Sequence, residues 1–417
     1  MYIRRDIENT IKETARYFQV VTIYGSRQVG KTTTVDYLFG DSFRFVTLDT
    51  TADRDLANDN PKGFLEAYGW PLIIDEVQKA PKLLDEIKRI VDEQRRIWMR
   101  NNQPRELMYI LTGSNQFDLQ SQVAESLAGR TAVLQMSSLT QMEKAGVKGS
   151  VFKVDIPALL EKERHYNLYQ TKEDTFQKIF EGGYPDIVTG ETPRNIYFAS
   201  YVDTYIEKDI RKLISVDNES LFRKFMEILA LRTAQELNYE SISNTVGISV
   251  ITCKRWISIL ETSGLIILLQ PYMANMSKRI IKAPKLYFMD TGLCSYLCKW
   301  PNAEMLQNGV MSGAFFETYV ISEIVKSYYN AGINPKEYLY YYRDIDKKEI
   351  DLLIEENGNI YPVEIKKNSS PNKPTKNFNV LSKYNQPIMP GLVIDNADKI
   401  RPINDNVYSF PVSLLGI

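Results

Sequence analysis

The stretch "VVTIYGSRQVGKTTTVDYLF" (20–39) constrains this chain most, because a β-branched run passes through a glycine-bracketed loop into a helix-forming segment. The loop fits G-x-x-x-x-G-K-[ST], with Gly25, Ser26, Arg27, Gln28, Val29 and Gly30 in the turn and Lys31, Thr32 and Thr33 opening the helix. Glycines let backbone approach a phosphate without a Cβ clash, and successive N–H groups at a helix N-terminus supply positive potential. Lys31 is then placed to reach β- and γ-phosphates and the Thr32 hydroxyl to ligate magnesium, so ATP and Mg2+ are the expected cofactors. A plain strand–helix turn would also carry these glycines. What the neighbouring strands end in separates the two readings.

Two further segments end as a phosphate site requires. "WPLIIDEVQKAP" (70–81) is an apolar strand closing on Asp75 and Glu76. An acid at that position holds the metal's water shell, and its neighbour can polarise the attacking water. "ELMYILTGSN" (106–115) ends in Ser114 and Asn115, placed to sense a γ-phosphate or align water. With "FRFVTLDT" (43–50) between the loop's helix and the acidic strand, strands and helices alternate, which predicts a parallel sheet covered by helices with its ligand at the strands' carboxyl ends.

On these motifs the chain resembles AAA-type P-loop ATPases of bacteria and archaea that carry a carboxyl-terminal domain of unknown function. The resemblance extends through "SLAGR" (126–130), "EGGYP" (181–185), "YVDTYIEKDI" (201–210) and "KLYFMDTGL" (285–293). It implies ATP hydrolysis, with Arg130 as an arginine finger or sensor, within its own subunit or on a neighbour in a homo-oligomer. A surface arginine at a helix end is the plainer alternative.

Length and composition exclude more than they select. A chain of 417 residues suggests two to three domains. Its net charge of −1 gives no global sign of a nucleic-acid partner. No apolar run approaches the ~18 residues of a membrane span, and the start lacks a secretory signal. Three cysteines (Cys253, Cys294, Cys298) read as reduced, packed thiols of a cytoplasmic protein. The only histidine, His165, lies in the polar "EKERHYN", which argues against Ser-His and Cys-His hydrolases.

The region from about 140 to 215 reads as a polar, helical connector, with Tyr197, Tyr201 and Tyr205 as a packing stripe. "YESISNTVGISVITCKRWISILETSGLIILLQPY" (239–272) then has a winged helix-turn-helix layout. Ser249 caps the second helix, Trp256, Ile259 and Leu260 face inward, and Thr252, Lys254, Arg255 and Ser258 face outward. Lys278, Arg279, Lys282 and Lys285 would form a basic wing. DNA contact and protein–protein contact both suit this layout.

In "EIDLLIEENGNIYPVEIK" (349–366), a two-residue Asn357-Gly358 turn pairs Glu356 with Asn359, Asp351 with Glu364 and Glu349 with Lys366. Ile350, Leu352, Ile354, Tyr361, Val363 and Ile365 then take the buried face. Opposed carboxylates repel, and a divalent cation between them would remove the objection. Glu317, inside the apolar stripe of a helix, is a third candidate ligand. Acid, Asp and Glu-x-Lys together resemble the restriction-endonuclease-like PD-(D/E)xK arrangement, in which Lys366 would assist phosphodiester hydrolysis beside a metal held by Glu317, Asp351 and Glu364. Salt bridging by Lys366 to Glu349 and Asp351 is the simpler alternative.

The whole reading is α/β and multidomain. It comprises an AAA-type parallel-sheet domain (1–145), a helical lid or connector (146–215), a winged helix-turn-helix (216–285) and a nuclease-like α/β domain (286–417). The expected activity is ATP hydrolysis controlling carboxyl-terminal modules that bind DNA or a protein. An ATP-coupled DNA nuclease and a nucleotide-gated module without cleavage are the alternatives.

Overall fold

In the computed structural model, five short runs form a sheet: β1 (Val20–Tyr24), β2 (Arg44–Thr47), β3 (Leu72–Asp75), β4 (Tyr109–Gly113) and β5 (Thr131–Gln135). Their order is β2-β3-β4-β1-β5, with every neighbouring pair parallel. β1 and β4 are buried at every residue, as strands covered on both faces must be. The helix Lys82–Arg100 shows how one covering layer forms. Leu83, Leu84, Ile87, Val91 and Trp98 recur on its inner face, while Arg89 pairs outward with Glu86 and Glu93. Each such buried aliphatic side chain stabilises by about 1.5–3 kcal/mol. The order matters for the site: β4 lies between β1 and β3, so the carboxyl ends of all three reach one edge.

The structure describes residues 2–114, 123, 126–166, 168–205, 219–273, 283–369 and 373–417. They fall into two compact units, Met1–Ser138 with Thr262–Gly264 and Tyr329–Gly332, and Leu139–Glu261 with Leu265–Tyr328 and Ile333–Ile417. No helix among the described residues is long and apolar enough to cross a membrane.

The second unit holds a three-stranded sheet, β6 (Gln235–Glu236), β7 (Ile266–Leu269) and β8 (Lys285–Phe288), ordered β6-β8-β7 and antiparallel. It also holds a six-stranded mixed sheet of β9 (Leu339–Arg343), β10 (Glu349–Glu356), β11 (Asn359–Ile365), β12 (Gly391–Asp395), β13 (Arg401–Asn404) and β14 (Val407–Pro411), ordered β13-β14-β12-β11-β10-β9. The β10–β11 register is the expected one, Glu356 with Asn359 through Leu352 with Val363. Asn357 and Gly358 both have positive φ, 53° and 77°, as a type I′ turn demands. The expected exposed face does not appear. β10 and β11 are interior strands of the larger sheet, so Asp351 and Glu364 are buried together with their apolar neighbours.

Helices Ile156–His165, Lys172–Glu181 and Arg194–Tyr205 belong to the second unit, where Tyr197, Tyr201 and Tyr205 are buried and the first two pack on Tyr184. His165 is exposed at its helix end, and the cysteines are free. Helices Tyr239–Val246 and Val250–Thr262 follow, with Ser249 accepting the Thr252 N–H at 3.0 Å and Trp256, Ile259 and Leu260 buried. Lys254, Arg255 and Ser258 are exposed and Thr252 half-buried.

Candidate phosphate-loop site and a buried carboxylate cluster

The phosphate loop leaves the carboxyl end of β1 and turns into the helix Lys31–Phe39. Gly25 sits where a Cβ would lie 2.0 Å from the Met136 carbonyl oxygen, so no larger residue fits. Gln28 and Gly30 have φ of 58° and 92°; the second conformation opens the helix with its first N–H groups free to face an anion. Val29 and Ser26 are buried, Arg27 is half-buried and Thr33 exposed. The buried Lys31 ammonium donates to the carbonyls of Gly25 at 3.0 Å and Ser26 at 2.8 Å, which holds it across the mouth of the loop. Arg5 braces the loop from behind, donating to the carbonyls of Val29 and Ser137, each at 2.7 Å. Nothing in "MYIRRD" marked that arginine, because its partners are distant in sequence.

Asp75 and Thr32 meet here. The Thr32 hydroxyl donates to Asp75 Oδ1 at 3.0 Å, and Thr112 of β4 donates to the same oxygen. Neighbouring ligands on an octahedral magnesium ion with bonds of ~2.0–2.1 Å stand about 2.9 Å apart, so this hydroxyl–carboxylate pair fits that ion. Glu76 is left-handed, with φ 56° and ψ 40°, a conformation that costs a non-glycine residue about 1–3 kcal/mol. Its Oε2 accepts from Ser114 at 3.1 Å and from Gln78. Lys31, Thr32, Asp75, Glu76 and Ser114 thus gather at one sheet edge; Asn115 lies outside the described residues.

Arg130 is elsewhere. Val20 pairs with Thr131 and donates its N–H to the Arg130 carbonyl, which puts Arg130 at the amino end of β5. The length of β1, roughly 15 Å at ~3.3 Å per residue, separates it from the loop at the strand's other end. Its guanidinium forks onto Asp92 at 2.8 and 3.0 Å and holds that carboxyl below its usual range. Arg130 therefore does not serve its own loop, contrary to one sequence expectation; strand direction, invisible in a local motif, decides this.

The second unit gathers the other predicted residues around two lysines. Lys366 Nζ lies 3.3 Å from Asp351 Oδ2, the pair expected of the salt-bridge alternative, and 2.7 Å from Glu364 Oε1, while Glu349 is taken by Lys285. Lys285 lies between Glu317, at 3.0 Å, and Glu349, which also meets Arg343. The expected basic wing loses this member: Lys285 is only 2% exposed, on β8, while Lys278, Arg279 and Lys282 lie outside the described residues. Tyr287 donates to Glu317 at 2.7 Å. Neither Lys285 nor Tyr287 was singled out as a partner of Glu317, since a lysine in a basic run reads as solvated. Burial, with the charge of Asp351 added, pushes Glu317 up to about 7 and Glu364 up to about 8. Glu364 Oε2 is buried without a hydrogen-bond partner among the described residues. No group of three or more His, Cys, Asp or Glu side chains among the described residues is arranged to hold a metal ion. The acids are instead spread around the two ammonium groups.

Comparison with known proteins divides the chain similarly. Residues 17–145 match the family described as "AAA domain". Residues 172–304 and 312–415 match two families described as domains of unknown function, DUF8612 and DUF4143. An uncharacterized protein of Mycobacterium tuberculosis is 25% identical over 371 residues, 88% of this chain and 75% of its own, and one from Mycobacterium bovis is equally similar. Among solved structures, a Walker-type ATPase of Pyrococcus abyssi has a TM-score of 0.40 at 12% identity, over 71% of this chain and 96% of that one. Cdc6p from Pyrobaculum aerophilum has a TM-score of 0.26 at 13% identity, over 67% and 87%. The glycine-bracketed loop, the acid-tipped β3 and the match of residues 17–145 to the AAA domain model together describe a P-loop ATPase-like parallel-sheet domain at the amino-terminal end, followed by a separate sheet domain.

Proposed function

We propose that this chain binds and hydrolyses ATP at the loop Gly25–Thr33, and that nucleotide state repositions its carboxyl-terminal modules on a DNA partner. The observation that carries the first part is the convergence of Lys31, Thr32 and Asp75, with the Thr32 hydroxyl 3.0 Å from the carboxylate. Thr32 and Asp75 would hold magnesium, which supplies charge neutralisation along the β- and γ-phosphates. Lys31 turns its ammonium from the loop carbonyls to the phosphates. Glu76 takes the proton of the attacking water as its oxygen bonds to the γ-phosphorus and the β–γ bridging bond breaks, and Ser114 orients Glu76. Arg130, distant from its own loop, is left a role only toward a second copy of the chain.

The deciding experiment is ATP hydrolysis by the full chain with and without duplex and single-stranded DNA. Stimulation by either DNA is the expected result. Hydrolysis indifferent to both would replace DNA by a protein partner, and no hydrolysis would defeat the proposal. The DNA contact is assigned to the winged helix-turn-helix at 216–285, whose exposed Lys254 and Arg255 lie on one helix. Replacing both by glutamate should weaken DNA binding about tenfold or more at low salt and flatten its salt dependence by about one to two counterions. Unchanged affinity would remove that helix from the interface.

A second reading is favoured by one observation, the buried Glu364 Oε2, which lies beside Asp351 and has no hydrogen-bond partner among the described residues. It makes residues 286–417 a nuclease-like domain in which Asp351 and Glu364 would share a divalent ion and Lys366 would assist attack on a phosphodiester. Magnesium-dependent nicking by the full chain should then vanish in Asp351→Ala while ATP hydrolysis persists. Absence of nicking across Mg2+, Mn2+ and several DNA forms would end this reading without touching the first.

A further inference from the structure

A cavity of about 570 Å3 opens in the second unit between the short helix Gln141–Lys144, the helix Lys172–Glu181 and the start of the helix Arg194–Tyr205. Three cations line it, Lys144, Lys178 and Arg194, against the single carboxylate of Glu181. Among the described residues each cation is held by neutral oxygens rather than by an acid. Lys144 donates to the Gly182 carbonyl at 2.9 Å, and Lys178 to the side chain of Gln170. Arg194 donates to the carbonyls of Phe180 and Gly292 and to Ser295, with its guanidinium 3.8 Å above the Phe180 ring.

The other carboxylates felt by Lys144 are committed elsewhere. Glu323 is taken by Lys326 at 3.1 Å and the Gln141 N–H at 2.7 Å. Asp290 accepts the N–H groups of Gly183 at 2.9 Å and Leu293 at 3.0 Å. Glu181 is engaged by Gln177. Burial accordingly pulls Lys144 down to about 8 and lowers Lys178 as well, because desolvation outweighs the opposing charges of Glu323 and Asp290 on the first and of Glu323 and Asp174 on the second. Beside them, Phe180, Ile187 and Val188 supply an apolar wall. Ligand pockets of ~300–1,000 Å3 combine just such a wall with a few convergent polar groups.

We propose that this cavity binds a small organic anion, a carboxylate or phosphate carried on an apolar body, with Lys144 and Lys178 as its direct contacts and Arg194 shaping the wall through Phe180. The site is built wholly from residues of the second unit and goes beyond the proposed ATP hydrolysis. An anion would supply the missing counter-charge to both lysines, while its apolar body would cover Ile187 and Val188.

The test uses the full chain carrying Lys31→Ala, so that phosphate held by the loop does not contribute to the signal. Calorimetric titration with benzoate, phenyl phosphate and neutral benzamide should show one-to-one binding of at least one anion, about tenfold or more tighter than benzamide. Binding of benzoate alone would identify a carboxylate site, and of phenyl phosphate alone a phosphate site. Lys178→Met and Lys144→Met should each weaken that binding by about tenfold, Lys178→Arg should restore most of it, and the exposed control Lys62→Met should leave it unchanged. Should Lys144→Met fail to fold, the Lys178 pair decides. Equal affinity for benzamide, no anion binding in the millimolar range, or indifference to the Lys178 substitutions would overturn the site.

Discussion

Lys31→Ala should lower ATP turnover by about 10²–10³-fold or more, which corresponds to removing one preorganised donor from the developing charge of a transferring phosphoryl group. The reason is positional. In the structure the Lys31 ammonium is already desolvated and fixed on the carbonyls of Gly25 and Ser26, at 3.0 and 2.8 Å, so little reorganisation is needed when phosphate replaces them. Alanine leaves the backbone N–H groups of the loop intact and removes only the mobile charge. Steady-state hydrolysis and fluorescent-nucleotide binding would be measured beside the unfolding temperature, which separates a lost donor from a collapsed loop. Wild-type turnover in a folded Lys31→Ala protein would remove the loop from the chemistry altogether.

Lys285→Met should cost about 3–5 kcal/mol of stability, the range for breaking a buried pair by removing one partner. Lys285 is 2% exposed and lies between Glu317 and Glu349. Among the described residues Glu349 keeps Arg343, at 3.5 Å, but Glu317 would keep only the Tyr287 hydroxyl. Methionine preserves most of the stem volume, so the loss is mainly of charge and not of packing. The check is the urea midpoint of the full chain, with Glu317→Gln added in a second variant. If the pair is the cause, the double variant should recover more than half of the loss, because no carboxylate is then stranded. A shift below about 1 kcal/mol, or no recovery in the double variant, would mean that the cluster is open to water and that its charges are independently solvated.

Both experiments turn on residues whose legibility in the sequence differed. The loop from Gly25 to Thr33 and the strand ending in Asp75 and Glu76 could be read directly, because their chemistry is written in side chains within one turn or one strand. The β10–β11 register was legible for the same reason: Asn357-Gly358 dictates a turn, and a turn dictates which residues face each other. Lys285 was misread as part of a basic wing, and Lys366 was expected opposite Glu349. For Lys285 sequence proximity suggested solvent, whereas its partners include a helix, Ser312–Asn330, that only packing brings near; Lys366 stays within the hairpin and takes Asp351, as the salt-bridge alternative had it, together with Glu364.

By itself, then, the sequence determined the local conformations: the glycine-bracketed turn, the acid-tipped strand, the hairpin and the helix capped by Ser249. These depend on interactions spanning a few residues, which composition and spacing record. Tertiary structure alone decided that β4 separates β1 from β3 and lets Thr112 reach Asp75, that Arg130 stands at the far end of its sheet, and that Arg5 braces a loop more than a strand away. Each of these follows from strand order and direction, set by the burial of whole apolar faces rather than by any pair of neighbouring residues.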